Sequence, residues 1–355
     1  MKASYHPYQL QFKKPVLTSR GSMTHKNGYY LSIEDKGLKG IGECSFIEGL
    51  SIDRLDQIEG ILDQLVVDIV SIESNYFLYG ILPSYLDDFP SVHFGLETAL
   101  LDVGYGGKDL FSTHSEFSAG TRSIPINGLV WMGSDEFMKQ QIEQKLADGF
   151  RCIKIKVGAI DFAEECRLIE NIRKRYDPRE IEIRLDANGA FTEQNVRERL
   201  RILSQYTIHS IEQPIRPQQY LLMHDLCAEN IIPIALDEEL IGIHKNMRQK
   251  LLETIRPQYI ILKPSLMGGF DACGDWIYKA KEMGIKWWAT SALESNIGLN
   301  AIAQWLTEIT MNDGLDTVQG LGTGGLYINN IESPLYIEAG HLKYDPNGKW
   351  GDMIS

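Results

Sequence analysis

Five charged residues recur at nearly even intervals through the middle of the chain, each just past a short apolar run. They are Lys156 in IKIKVG, Asp186 in IRLDANG, Glu212 in SIEQP, Asp237 in IALDEE and Lys263 in IILKPS. Successive members stand 25 to 30 residues apart, the length of one strand followed by one helix. Repetition of such a unit builds a parallel (β/α) barrel, and polar residues at the C-terminal ends of its strands face the barrel mouth. The spacing therefore sets both a fold and the place where its chemistry should lie.

The chain on either side of this array has a different grammar. The stretches YQLQFKKPVL, GYYLSIED and KGIGECS alternate apolar and polar residues. Polar and glycine breaks, including Lys26 to Gly28, separate them into an expected three-stranded antiparallel meander. Ile52, Leu55, Ile58, Ile61, Leu62, Leu65, Val66 and Ile69 then recur at helical steps, with Ser51 placed as N-cap. A second helix is expected from about Val92 to Val103. Residues 1–120 read as an α+β capping domain. Across residues 121–325 strands and helices alternate, with IPINGLV, RCIKIKV, IEIRLDA, IHSIEQ, IPIALDE, YIILKPS and IKWWATSA as successive strands. An eighth is expected near Thr317 to Gly320. Residues 326–355 should leave the barrel and return to the capping domain. The expected fold is α/β, a modified (β/α)8 TIM-type barrel with an N-terminal α+β capping domain.

One acid after a strand is ordinarily a loop residue in water. Three acids at the same point of consecutive units read as a set, and Asp186, Glu212 and Asp237 are candidate metal ligands. Carboxylate oxygens are hard donors that suit Mg²⁺, with Mn²⁺ as a substitute. The eight histidines show no metal-ligand spacing, which points away from zinc. Lys154 and Lys156 are two apart on one strand and face the same side; Lys263 ends a strand about halfway round the barrel. A desolvated lysine can act as a base, and a charged one opposite can stabilise developing negative charge. Such a set suits abstraction of a proton α to a carboxylate, followed by racemisation, cycloisomerisation or loss of a β-leaving group. Asn188 and Glu238 are expected to support it, and Glu239 to lie at the surface. Arg184, two before Asp186, either orders the array or forms an ion pair lower in the barrel.

A net charge of −13 disfavours nucleic acid and anionic membranes as partners. No run of apolar residues reaches transmembrane length. The odd count of five cysteines without a C-x-x-C pair reads as reduced thiols. The opening MKASYHPYQL has no apolar signal-peptide core, so a cytoplasmic location is expected. Gly320, Gly322 and Gly325 match G-x-G-x-x-G, but the following segment reads as strand, so they are taken as a barrel loop. Trp287 and Trp288 are expected in core packing.

The joint pattern of K-x-K at Lys154 and Lys156, the acids Asp186, Glu212 and Asp237, and Lys263 resembles the enolase superfamily. Its muconate-lactonizing subgroup fits best, because Ser291 stands where other subgroups place a histidine. Within that subgroup SALESNIG (Ser291 to Gly298) and QGLGTGGL (Gln319 to Leu326) resemble the o-succinylbenzoate synthase family. Gly322 and Gly324 stand where dipeptide epimerases carry an Asp-x-Asp for a substrate ammonium.

The resemblance implies a Mg²⁺-dependent dehydratase of menaquinone biosynthesis acting on a small-molecule carboxylate, a succinyl-hydroxy-cyclohexadiene carboxylate. Lys156 would be the base and Lys263 the ammonium beside the ene-diolate, with Lys154 in the same catalytic set. The second substrate carboxylate would bind free backbone N–H groups at a helix start around Ser295, Asn296 and Gly298, with Ser291 and Glu294 nearby. The polar loop Thr18 to Gly28, with Arg20 and Lys26, would be a lid. The competing readings are an N-acylamino acid racemase or dipeptide epimerase of the same superfamily, and a non-catalytic binding protein on a barrel scaffold.

Overall fold

The computed structural model describes residues 1–18, 21–71, 83–107, 115–310 and 317–352. β1 (Lys2–Thr18), β2 (Gly21–Asp35) and β3 (Leu38–Ser45) form an antiparallel sheet in that order. Side-chain alternation turns Leu31 and Ile33 toward two helices, Ile58–Ser71 and Pro90–Gly104. There they pack with Leu62, Leu65, Val92 and Leu96 in a core separate from that of the barrel. Glycine lets β3 and the second helix touch. A Cβ at Gly42 would strike the carbonyl of Gly95, and one at Gly95 would strike the Cys44 sulfur.

β4 (Ile124–Pro125) leads into the barrel. β5 (Gly128–Val130), β6 (Cys152–Lys156), β7 (Glu182–Asp186), β8 (Ser210–Glu212), β9 (Ile234–Leu236), β10 (Tyr259–Leu262) and β11 (Lys286–Ala289) form one parallel sheet in chain order. Gln319 and Gly320 supply the eighth staff of the barrel, bridging Ile126 on one side and Thr290 on the other. Asn127 N–H donates to the Gln319 carbonyl (3.0 Å) and Gly320 N–H to that of Ala289 (2.8 Å), which closes the barrel. The helices between strands follow ordinary rules. In Phe162–Arg175, for example, Asp161 caps the N–H groups of Ala163 and Glu164, Cys166, Ile169 and Ile172 form the buried stripe, and Arg173 to Arg175 sit in the last turn.

The tail serves both units. Tyr327 bridges Phe12 of β1, and Ile328 N–H donates to the Gln11 carbonyl at 2.9 Å. β12 (Leu335–Glu338) and β13 (His341–Tyr344) form a hairpin that pairs with β4 at the foot of the barrel. All five cysteines are buried and free.

Local expectations fail where distant contacts intervene. The first helix begins at Ile58, not beside Ser51. Ser51 Oγ accepts from Ile47 N–H, and Asp53 is drawn away to hold Ser91 N–H and Oγ (3.0 and 2.6 Å). Lys26 to Gly28 lie inside β2, paired with Leu10 to Tyr8. Gly28 is there because the Tyr8 ring covers it, not to turn the chain. Of the expected loop Thr18–Gly28, the described residues belong to β1 and β2, with Gly21 to Gly28 inside β2. IPINGLV is split between β4 and β5, which serve different sheets.

Candidate active site

The strand register builds the site. Lys156, Asp186 and Glu212 stand side by side on β6, β7 and β8. Asp237 follows β9, and Lys263 follows β10, four strands round from β6 and so on the opposite wall. Lys154, one pleat below Lys156, reaches up to Asp186 Oδ2 (3.1 Å) and Glu212 Oε2 (2.5 Å). Lys156 Nζ lies 2.9 Å from Asp186 Oδ2 and donates to Asn188 Oδ1 at 2.6 Å. Lys263 Nζ is bonded to Asp237 Oδ2. Asn188 adopts φ +42 in the turn after β7, which turns its amide to bridge Lys156 and Glu238 Oε1 (2.9 Å). All five charged residues of the even-spaced array thus meet in one ring.

The electrostatics follow from packing charge into a dry space. Burial works to raise the Asp186 carboxyl, but Lys154 and Lys156 beside it hold it well below the usual carboxylate range. Glu212 is pushed well above that range, first by burial and then by the neighbouring Asp186 and Asp237 charges. Burial works to lower Lys154 and Lys263, yet Asp186 and Glu212 on the first, and Asp237 and Glu212 on the second, keep both ammonium groups stable.

Among the described residues no three acidic, histidine or cysteine side chains stand ready to hold a metal ion. Here Lys154 and Lys156 hold Asp186 Oδ2, Lys154 holds Glu212 Oε2, and Lys263 holds Asp237 Oδ2. The donor set nevertheless fits a hard divalent cation. Glu212 Oε1 and Asp237 Oδ1 are buried without a hydrogen-bond partner among the described residues, a surplus of acceptors that a cation would relieve.

Above the ring lies a cavity of about 620 Å³, the size range of small-molecule sites. Its floor includes Lys154, Lys156, Asp186, Glu212 and Lys263, and its roof comes from the N-terminal unit, through Met23 to Lys26 of β2 and Phe46 to Glu48. Ser291 and Gly322 also reach it. One lining residue, Trp131, was not singled out in the sequence, and Lys26, expected in a lid loop, takes a buried place in the roof. Trp131, just past β5, places its ring 5.9 Å from Lys156 Nζ; its place after the first barrel staff was the available signal. Lys26 is only 5% exposed and donates to Ser45 Oγ; it was visible only as one member of a polar loop.

The anion site expected at the helix start is already filled. Ser295 caps the helix Asn296–Ile309. Its N–H and that of Gly298 are taken by the carboxylate of Glu43 (2.8 and 2.9 Å), and those of Asn296 and Ile297 by Asn330 Oδ1 (3.0 Å) and Ser295 Oγ (3.2 Å). Glu294, Ser295, Asn296 and Gly298 therefore support the wall rather than line the cavity. Glu294 is fully buried and accepts from Ser265 Oγ and Ser291 Oγ, both at 2.5 Å. Arg184 pairs with Glu182 (2.6 Å), donates to the Val318 carbonyl and lies 4.3 Å over the Trp288 ring. It is a lower-barrel ion pair. Glu239, expected at the surface, is 3% exposed because it holds Gln213 Nε2 (3.1 Å) and Gln218 N–H (2.7 Å). Arg20 lies outside the described residues.

Residues 137–346 match the family model described as enolase C-terminal domain-like. A protein of Desulfotalea psychrophila named o-succinylbenzoate synthase is 47% identical over 96% of this chain and 98% of its own length. The crystal structure of MenC from Desulfotalea psychrophila LSv54 aligns with a TM-score of 0.85 at 44% identity, covering 97% of this chain and 99% of that one. The o-succinylbenzoate synthase of Thermosynechococcus elongatus BP-1, solved with Mg in its active site, aligns with a TM-score of 0.70 at 23% identity. That alignment covers 92% of this chain and 93% of the other, and at that identity the likeness is one of fold.

Proposed function

The chain belongs to the enolase superfamily, and from that premise we propose that it is a carbon–oxygen lyase, an o-succinylbenzoate synthase of menaquinone biosynthesis. The observation that carries the reading is the placing of Lys156 and Lys263 on opposite walls of one roofed cavity, with Asp186, Glu212 and Asp237 between them. Identity with a relative of that name over nearly the whole chain supports it. We take residues 1–120 as the capping domain, 121–325 as the barrel and 326–355 as the tail.

Asp186, Glu212 and Asp237 would hold Mg²⁺, or Mn²⁺ in its place. A divalent cation there supplies Lewis-acid stabilisation of charge that moves onto the substrate carboxylate. The substrate is a succinyl-hydroxy-cyclohexadiene carboxylate. Lys156 takes the α-proton, and the electron pair moves into an ene-diolate. Lys263, kept protonated by Asp237 and Glu212 against the pull of burial, faces that charge from the other wall. The pair then returns to the ring as the C–O bond breaks. Lys156 gives its proton to the departing hydroxyl on the same face, so water leaves and the ring becomes aromatic. Asn188 and Trp131 steady Lys156 through its path.

The second carboxylate of the substrate needs a cation away from the ring. With the helix start taken by Glu43, Lys26 in the roof is the group we assign to it. Gly322 brings no carboxylate to the cavity, which disfavours an ammonium-bearing dipeptide. Among the described residues no helix is long and apolar enough to cross a membrane, and we place the activity in the cytoplasm.

The test is an assay of the purified protein with the cyclohexadiene substrate, with and without chelator. Aromatic product that forms only with metal supports the reading. Exchange of the α-hydrogen with solvent deuterium without dehydration overturns it in favour of a racemase or epimerase.

A further inference from the structure

Two barrel helices are capped by carboxylates from the other unit. Glu43, at the end of β3, is fully buried. Its Oε1 accepts from Tyr8 Oη and from Ser295 N–H (2.8 Å), and its Oε2 from Ser295 Oγ (2.5 Å) and Gly298 N–H (2.9 Å). Glu97, on the helix Pro90–Gly104, accepts from Phe270 N–H through Oε2 and from Asp271 N–H through Oε1 (3.0 Å). Those amides open the helices Asn296–Ile309 and Gly269–Glu282. The N-cap of the second, Gly268, has no side chain to offer.

A helix N-terminus presents unpaired N–H groups and a partial positive charge, and a carboxylate there makes charge-assisted hydrogen bonds. Such caps are ordinarily local. Here they come from 173 to 255 residues away. Glycine makes room at both seats: a Cβ on Gly298 would lie 2.9 Å from Glu43 Oε2, and one on Gly269 would strike Glu97 Oε2. The spacing of the two carboxylates is fixed by the close packing of β3 on the helix Pro90–Gly104 at Gly42 and Gly95. The two capped helices follow the staves that bring Lys263 and Ser291 to the cavity, and the unit that carries the carboxylates also carries the roof.

We infer that Glu43 and Glu97 are positioning residues, a two-point latch that seats the roof in register over the lysine–carboxylate ring. The latch holds the two halves of the cavity at one separation, so it acts on substrate binding and not on the chemical step.

Amide hydrogen exchange on the protein without ligand tests the latch independently of the proposed reaction. In Glu43→Gln, protection should fall at Ser295 and Gly298, and also at Phe270, Asp271 and the roof strand β2, although Glu97 is untouched. Loss confined to Ser295 and Gly298 would reduce Glu43 to a local cap and overturn the inference. Steady-state kinetics give a second reading, which rests on the proposed reaction. Glu43→Gln and Glu97→Gln should each raise KM about three- to thirty-fold with kcat within about two-fold. A fall in kcat at unchanged KM would overturn it. Should Glu43→Gln not fold, Glu97→Gln carries both measurements with the two seats exchanged. A wild-type protein without turnover would defeat the proposed reaction, and the exchange pattern would still decide the latch.

Discussion

Lys154 and Lys156 share one strand face, yet their surroundings separate their tasks. Lys154 is clasped between two carboxylates, whereas Lys156 shares Asp186 with Lys154 and otherwise meets an amide and an indole ring. The first is a fixed charge in the ring, and the second is the amine that faces the cavity beside Trp131. Lys156→Ala and Lys263→Ala should each lower kcat by at least ~10²- to 10⁴-fold, with the circular dichroism of the folded protein retained. Near-normal turnover in either variant removes that lysine from the mechanism. Lys26 makes a different demand. Its removal takes away a charge that meets the distal carboxylate in both ground and transition states, so Lys26→Met should raise KM roughly ten- to a hundred-fold with much less change in kcat. Unchanged KM would return the distal carboxylate to another partner.

Elements in this chain are set by period and by caps, and the caps are often remote. The amphipathic stretch before residue 71 has helical spacing from Ile52 onward, but the helix starts six residues later because Asp53 is used to cap the helix Pro90–Gly104. Burial pushes the Asp53 carboxyl up to about 6, against the lowering effect of the Ser91 bonds. The folded protein thus binds this proton more tightly than the unfolded chain. Stability from Asp53 is complete below pH ~4 and is lost as pH rises through about 6, on the order of 2–3 kcal/mol. Asp53→Asn keeps an acceptor for Ser91 without a charge. Relative to wild type, it should gain that much stability between pH 4 and pH 7.5 in urea unfolding; equal shifts in both proteins would show that Asp53 is not the titrating group.

At the scale of the molecule, three acids and three lysines share one barrel, and the cavity above them needs the second unit as its roof. A ligand that binds only the folded state raises Tm by mass action. Magnesium should therefore raise Tm in a concentration-dependent way, chelator should abolish turnover, and Asp237→Asn should blunt both responses. A Tm indifferent to magnesium would argue against the acidic set as its seat. The barrel and its ring were legible in the sequence because both depend on local period. A strand–helix unit has a fixed length, and the residue at the end of each strand points to the mouth whatever the rest of the chain does. The tertiary structure alone decided which polar groups were already spoken for. Glu43 on the start of a barrel helix, Glu239 inside a turn and Arg184 over Trp288 are contacts across tens to hundreds of residues. A buried hydrogen bond forms with whatever partner folding brings within 3 Å, and sequence order does not record that distance.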